Sequence, residues 1–391
     1  MPNSPVKRSD DGASSDRILI NDSILFPKIQ RGVARYFHHI LDALIATYGE
    51  RVTVYSSVMR NYGPARHITA PAGFSFRGSA RVGINWLVKR VRDKQLRRII
   101  SREHPRLIYS PYYGGVYKGV PQIFTVHDMI HERFPTYFSS SDLETRRFIA
   151  EKRKCLESGT LLIAVSRNTA DDIVRIYPHV APERIRVVYH GVDEAFFAHN
   201  VQASFRCERP YFLYVGHRSR YKNFLTLIRA YSVAGLANQY DIKVVSPSGS
   251  GFERSEGELI ARLGLSGHIH LVTALGERDL IEYYAGAVAL VYPSEYEGFG
   301  LPILEGMAAG TVVLTSNVSS MPEVGGDVAI YFDPTSPDSI AQAMRVAARL
   351  RPEERQTIIA RGIARAKMFS WRRCQEQTVA VLRSLDEISV V

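Results

Sequence analysis

Pro293-Ser-Glu-Tyr-Glu-Gly-Phe-Gly-Leu-Pro-Ile-Leu-Glu-Gly-Met-Ala-Ala-Gly310 reads as the end of a strand, a glycine loop and a short helix, with carboxylates at two fixed points. The apolar run Val288 to Tyr292 before it has the composition of a buried strand. Gly298 and Gly300 let the backbone turn tightly, Pro302 suits the first helical position and Gly310 the residue after the last. Such a turn aims free backbone N–H groups outward, and with the positive end of the helix dipole they favour a diphosphate. Glu297 falls in the loop and Glu305 in the first turn of the helix, so both carboxylates can approach one ligand.

Outward from this stretch, strands and helices alternate along almost the whole chain, the pattern of parallel sheets covered by helices. The first half has candidate strands at Arg17 to Asn21, Val52 to Ser56, Leu107 to Ser110, Gln122 to His127, Leu161 to Val165 and Ile185 to Tyr189. A helix begins just after Gly32, with Val33, Tyr36, Phe37, Ile40, Leu41, Leu44 and Ile45 on one stripe, and Ser166 is an N-cap candidate for another. The second half restarts at Tyr211 to Val215 and continues through Asp241 to Val245, His268 to Thr273, Val288 to Tyr292, Thr311 to Thr315 and Ala329 to Phe332. Two successive doubly wound domains fit this count better than one very wide sheet. The expected division is a disordered start (1–16), a first domain (17–197), a linker (198–210), a second domain (211–370) and a terminal helical segment (371–391).

At 391 residues the chain can bury two cores, and its 45% hydrophobic and 23% charged content is that of a globular protein. No run approaches the roughly 18–20 apolar residues of a membrane span, and the polar start lacks the apolar core of a signal peptide, so a cytoplasmic location is expected. Cys155, Cys207 and Cys374 are scattered, which points to neither a disulfide framework nor a zinc site. The net charge of +11 calls for polyanionic partners. Lys and Arg crowd Arg81 to Arg106, where Ile84, Leu87, Val88 and Val91 recur at helical spacing. That helix can lie on its own sheet with a solvated basic face. It can equally rest on anionic lipid at the inner face of a membrane, with Trp86 as anchor. No DNA- or RNA-binding motif accompanies the basic residues, so nucleic acid is not an expected partner.

The pair Glu297 and Glu305, with Gly-Phe-Gly-Leu-Pro between them, resembles the E-x7-E motif of retaining glycosyltransferases of family 4. That resemblance implies the GT-B fold: two Rossmann-like α/β domains facing across a cleft, with a terminal helix crossing back to the first domain. It gives the ribose to Glu305 and the donor sugar to Glu297, whose charge would support an oxocarbenium-like transition state. Gly216-His-Arg-Ser-Arg-Tyr-Lys-Asn-Phe224 follows the first strand of the second domain and resembles the family's phosphate clamp. Arg218 and Lys222 are the cations assigned to the departing diphosphate, with Arg220 a poorer third and Asn223 placed to cap the next helix. "TVHD", ending in His127-Asp128, resembles the family's site histidine beside the donor sugar. The loop Gln30 to Ala34 resembles its glycine-bearing loop, where Gly32 would approach the diphosphate or the acceptor. Phe299, Gly300 and Leu301 complete the donor-binding set. Tyr189-His-Gly-Val-Asp193 resembles V-x-N-G-V-D with His190 in place of asparagine, and Ser319 to Asp327 resembles the serine, Pro-Glu and Gly-Asp pattern near the cleft.

These resemblances imply transfer of a hexose, with retention, from a nucleotide-diphosphate sugar to a saccharide or lipid-linked saccharide. Retention admits front-face attack or double displacement. No metal and no other cofactor are expected, because the basic clamp takes the metal's role. The combination is similar to bacterial mannosyltransferases of surface polysaccharide synthesis, which favours GDP-mannose as donor and leaves UDP-sugars open. A non-catalytic nucleotide-binding module would be the alternative outside enzymes. A nicotinamide-dependent oxidoreductase would carry G-x-G-x-x-G after an early strand, and neither Gly114-Gly115 nor Ser248 to Gly251 has that spacing. His127, His131 and Glu132 do not form H-E-x-x-H, which removes the corresponding zinc reading.

Overall fold

The computed structural model describes residues 15–22, 31–57, 62–71, 80–138, 143–197, 208–246, 251–273 and 276–388. One sheet holds β1 (Ser15–Asp22), β2 (Val52–Ser56), β3 (Arg66–Thr69), β4 (Pro105–Ser110), β5 (Gln122–Val126), β6 (Leu161–Ala164) and β7 (Ile185–Val187) in the order β3-β2-β1-β4-β5-β6-β7. The other holds β8 (Tyr211–Val215), β9 (Asp241–Val245), β10 (Ile269–Val272), β11 (Ala289–Tyr292), β12 (Val313–Ser316) and β13 (Ile330–Phe332) in the order β10-β9-β8-β11-β12-β13. Every pairing is parallel, with Ile20 of β1 opposite both Val54 of β2 and Tyr109 of β4. Strand order reverses beside β1 and again beside β8, and ligands of such sheets sit outside the strand ends at those points. These are two Rossmann-like α/β domains.

The central strands β2, β5, β6, β8 and β11 are buried along their whole length, as continuous apolar runs covered on both faces must be. Strand β3 has no counterpart in the sequence reading. It is a four-residue edge strand, Arg-His-Ile-Thr, exposed at both ends, so neither an apolar run nor a clean alternation marks it. The helix Arg31–Tyr48 starts before Gly32, two residues earlier than expected, and buries Tyr36, Phe37, Ile40, Leu41 and Leu44 against Ile18, Ile20, Val54 and Leu107.

The terminal helix Trp371–Ile388 joins that same core through Trp371, Cys374, Leu382 and Leu385. Its entry is fixed by a bridge between Val192 and Ser370 and by Gly191, where a Cβ would lie 2.1 Å from Trp371 N. Ser15 and Asp16, assigned to the disordered start, belong to β1; the remainder of that start and 198–207 of the expected linker lie outside the described residues.

The basic helix Ala80–Glu103 departs from the expected stripe. Leu87 and Val91 are 58% and 48% exposed, while Arg92, Leu96 and Ile99 face the sheet with Leu19, Tyr55 and Ile108. The buried face therefore runs through an arginine, whose Nε donates to Pro71 O, and an apolar tally of the sequence assigns it to the wrong side. The side chains of Ile84 and Trp86 lie outside the described residues. No helix among the described residues is long and apolar enough to cross a membrane.

Leu382 has no exposed surface, and its truncation leaves a cavity where the terminal helix meets the first domain. Leu382→Ala is expected to lower unfolding free energy by about 2–5 kcal/mol in denaturant titration, with secondary structure retained below the transition.

Candidate active site

The loop after β11 is built by contacts with the other domain. At Gly298 an added Cβ would fall 1.6 Å from His127 O and 3.1 Å from Asp128 Cα, so only glycine permits this approach. Tyr296 Oη donates to Asp172 Oδ2 at 2.8 Å and accepts from Met129 N at 3.1 Å, and Thr169 Oγ1 donates to Gly298 O. On the other flank, Ser319 and Ser320 donate their hydroxyls to Glu297 O, and Ser319 adopts a left-handed φ of 57° to do so. The loop is held on both sides, and Glu297 with it.

The helix that follows spans Leu301–Ala308, with Gly300 before it at φ 105° and Pro302 in its second position rather than its first. Glu305 is accordingly in the second turn, not the first as the sequence reading has it, and gains little from the terminal dipole. It is held by side chains instead: Arg35 Nη1 donates to Oε1 and Tyr284 Oη to Oε2, both at 2.8 Å. Leu301 Cδ1 lies 3.1 Å from the position of a Cβ on Gly32, so these two predicted donor residues face each other across the domains. The Phe299 ring is packed among Tyr189, His190 and Phe369, which leaves its backbone, not its ring, to meet a ligand.

Lys222 Nζ sits 2.5 Å from Glu297 Oε1 and 3.4 Å from Tyr292 Oη. Burial alone would depress its ammonium, but the Glu297 carboxylate outweighs it and holds Lys222 charged well above the usual range. Arg218 is committed differently. Its Nε lies 3.0 and 3.1 Å from the two Glu256 oxygens and its Nη2 donates to Gly251 O, in a pair whose side chains are almost fully buried. Arg220 is exposed. Asn223 does stand at the start of the helix Phe224–Ala234, but in a left-handed conformation, and its side chain donates to Pro334 O instead of capping the helix. Glu256 was invisible as Arg218's partner because it lies 38 positions on.

His127 is buried at the end of β5. Its Nε2 is 2.8 Å from Pro111 O; a carbonyl only accepts, so Nε2 carries the proton and Nδ1 keeps its lone pair. The ring stacks on His190 at 5.6 Å, and His190 also faces Tyr36, Phe299 and Trp371 at 4.8, 5.1 and 5.8 Å. Burial lowers the basicity of both imidazoles, and for His190 the neighbouring His127 adds to it. Both rings are therefore neutral. Below His127, the fully buried Lys152 donates to Asp128 O and to Glu132 Oε2.

One site-bordering residue, Arg35, escapes the sequence reading, while Asp193 and Glu323, which lie in the segments read as resembling the family, have no partner assigned there. Arg35 lies one turn beyond Gly32; Asp193 accepts from Arg35 Nε at 3.1 Å and pairs with His39; and Glu323 accepts from the N–H groups of Arg167 and Asn168 at the start of the helix Arg167–Ile176. The Glu323 contact gives the Pro-Glu pattern a physical function, since its carboxylate sits at the positive end of a helix from the other domain. That helix is N-capped by Ser166, as its sequence indicates.

Matches to known families divide the chain along the same line as its two sheets. Residues 30–196 match "Glycosyltransferase Family 4" and residues 198–365 match "Glycosyl transferases group 1". The chain belongs to glycosyltransferase family 4 and has the GT-B fold. It is 30% identical over 272 residues to the O-antigen chain mannosyltransferase B of Escherichia coli, covering 67% of this chain and 70% of that one. It is 31% identical over 283 residues to a D-inositol 3-phosphate glycosyltransferase of Saccharomonospora viridis, covering 68% of this chain and 65% of that protein. Sucrose-phosphate synthase from Thermosynechococcus elongatus superposes with a TM-score of 0.76 at 19% identity over 96% of this chain and 100% of that one, a likeness of fold.

Because the His127 and His190 imidazoles are depressed below the ordinary 6.5, the unfolded chain takes up protons at higher pH than the folded one. Their contribution to stability is complete above about pH 6.5 and is lost as pH falls from there towards their folded values. The melting temperature should drop as pH falls below about 6.5, and His190→Asn should make the drop shallower.

Proposed function

We propose that this glycosyltransferase moves a hexose, with retention, from a nucleotide-diphosphate sugar to a saccharide or lipid-linked saccharide in surface polysaccharide synthesis, with GDP-mannose as donor. The observation that carries the proposal is the placement of Glu297. Its carboxylate is 2.5 Å from Lys222, on a loop pressed against the His127 backbone, so an anionic group paired with a cation of its own domain is carried against the strand end that bears a neutral imidazole of the other. A sugar entering there would develop positive charge at its anomeric carbon beside Glu297, while the departing diphosphate would gain negative charge beside Lys222. Arg218, held by Glu256, would supply a second cation of fixed orientation. Glu305 would accept the ribose hydroxyls. His127 would face the sugar with Nδ1 as an acceptor. With cations already present for the leaving group, the reaction is proposed to need no metal. The mannose assignment draws on the likeness to an O-antigen mannosyltransferase.

In this assignment the two glutamates act at different stages. Glu305→Ala should weaken nucleotide binding by about 10- to 100-fold, the worth of hydrogen bonds to a charged group, as read by calorimetry. Glu297→Ala should bind nucleotide comparably and lose about 100-fold or more in kcat. Thermal shifts with GDP-mannose, UDP-glucose and UDP-N-acetylglucosamine identify the donor, since a true ligand raises the melting temperature by mass action. Shifts with UDP compounds alone would overturn the mannose assignment, and donor binding with no transfer or hydrolysis would favour a binding module.

For the acceptor side we propose peripheral contact with an anionic bilayer. Leu87, Val91 and Leu143 are exposed on the helices Ala80–Glu103 and Leu143–Ser158, which Lys89 and Glu151 join, and Arg90, Lys94, Arg97 and Arg98 extend the same first helix. Exposed apolar side chains beside several cations suit the interface of anionic lipid. Cosedimentation with phosphatidylglycerol vesicles should exceed that with phosphatidylcholine, fall with salt and fall again in Lys94→Glu/Arg97→Glu; equal binding to both lipids, or none, refutes the contact.

A further inference from the structure

Arg35 belongs to the first domain by its helix, yet each of its nitrogens meets a carboxylate elsewhere. Nη1 reaches Glu305 Oε1 at 2.8 Å, Nε reaches Asp193 Oδ2 at 3.1 Å and Nη2 lies 3.5 Å from Glu277 Oε1. Glu305 and Glu277 sit on two helices of the second domain, and Asp193 on the segment that passes from one domain to the other. A planar guanidinium satisfies three separate acceptors only when all three stand where its rigid fork points. Arg35 thus registers the relative position of the two domains.

We propose that Arg35 is a positioning residue that aims Glu305 and makes nucleotide binding depend on the closed arrangement of the domains. This rests on the reading that Glu305 takes the ribose. A carboxylate oxygen accepts two hydrogen bonds, so Oε1 with Arg35 and Oε2 with Tyr284 each retain a lone pair for a vicinal diol. Arg35 and Tyr284 fix the carboxylate plane without filling it. Removing Arg35 frees one of those two anchors and also leaves three carboxylates facing the crevice without their common cation, so their repulsion favours opening. The guanidinium is held charged by all three, against the burial that would weaken it.

The test compares full-length wild type, Arg35→Ala, Arg35→Lys, Glu305→Ala and Leu382→Ala. Arg35→Ala is expected to raise the donor KM and the nucleotide Kd about 10-fold with kcat nearly unchanged, and to enlarge the nucleotide-free radius of gyration in small-angle scattering. Arg35→Lys, which keeps the charge but can meet only one carboxylate well, should restore part of the affinity. The double variant Arg35→Ala/Glu305→Ala should bind no worse than Glu305→Ala, because Arg35 acts through that glutamate. Leu382→Ala loosens the same helix pair without touching the crevice and should leave KM alone; a rise in KM there equal to that of Arg35→Ala would reduce Arg35 to a packing role. Unchanged or tighter nucleotide binding in Arg35→Ala overturns the proposal. If Glu305→Ala itself leaves nucleotide binding intact, the ribose reading fails and the proposal fails with it, whatever Arg35→Ala does to the radius.

Discussion

The site depends on a contact that involves no side chain on one partner: the backbone of Gly298 lies against the carbonyl of His127. Each domain presents the carboxyl ends of its strands, where an open α/β sheet gathers its ligands, but two such edges form one crevice only if something brings their loops together. A methyl group at 298 would have to occupy the space of a carbonyl oxygen, and no rotamer relieves that, since a Cβ has none. Tyr296 then satisfies Met129 N and Asp172 across the same seam, so the approach is reinforced by hydrogen bonds on either side of the glycine. The result is that Glu297 and His127, which are 170 positions apart in a chain of 391, are carried on touching segments.

Charge organisation follows from that closeness. A crevice walled by protein desolvates its ionic groups, and each carboxylate meant for a ligand must be kept in place before the ligand arrives. Three pairs do this at graded burial. Arg218 and Glu256 are 2% and 3% exposed at their side chains, Lys222 and Glu297 are 13% and 12%, and Arg35 and Glu305 are 20% and 9%. The first is beyond exchange with solvent, because separating a buried pair strands a charge at a cost of about 3–5 kcal/mol. Glu256 also accepts from Glu253 N, so Arg218 is fixed to the start of the helix Arg254–Arg262. The other two pairs retain accessible edges. In the proposed reading, a diphosphate would meet Lys222 as the more accessible cation and Arg218 as a rigid field.

Much of this architecture is legible in the chain because it is local. β2, β8 and β9 coincide with the apolar runs read for them, and the glycine loop between β11 and its helix is announced by its own residues. What is not legible depends on partners remote in sequence. Arg35 and Glu305 are 270 positions apart, and nothing near Arg35 distinguishes it from the many other arginines of a basic protein. Asn223 reads as a cap because its side chain suits that role, yet a carbonyl at Pro334 claims it. Glu305 reads as a first-turn residue because Pro302 prefers the first position, whereas Gly300 at φ 105° lets Leu301 begin the helix. The buried face of the basic helix misleads for a related reason: Arg92 spends its charge on a backbone carbonyl, and hydropathy counts it as solvent-facing.

The segment Tyr189 to Asp193 shows how one short stretch can serve both the crossing between domains and the site. Tyr189 Oη donates to Glu323, which in turn holds the start of the helix Arg167–Ile176; Gly191 makes room for Trp371; and Asp193 receives Arg35 and His39. His39 stacks on Trp371 at 4.4 Å, so the terminal helix, the crossing segment and the helix that bears Arg35 are packed as one body. Within it, the buried His190 makes no hydrogen bond at Nδ1. An imidazole there fills the space between Tyr36, His127 and Phe299 by ring contacts, and the polar interaction an amide could make is given up for packing. The exchange is tolerable because the backbone of this segment, not the side chain at 190, carries the crossing between domains. A ring at that place also links His127 to Phe299 of the second domain, so any motion that separates the domains must part His190 from Phe299 while His127 and His190 stay stacked.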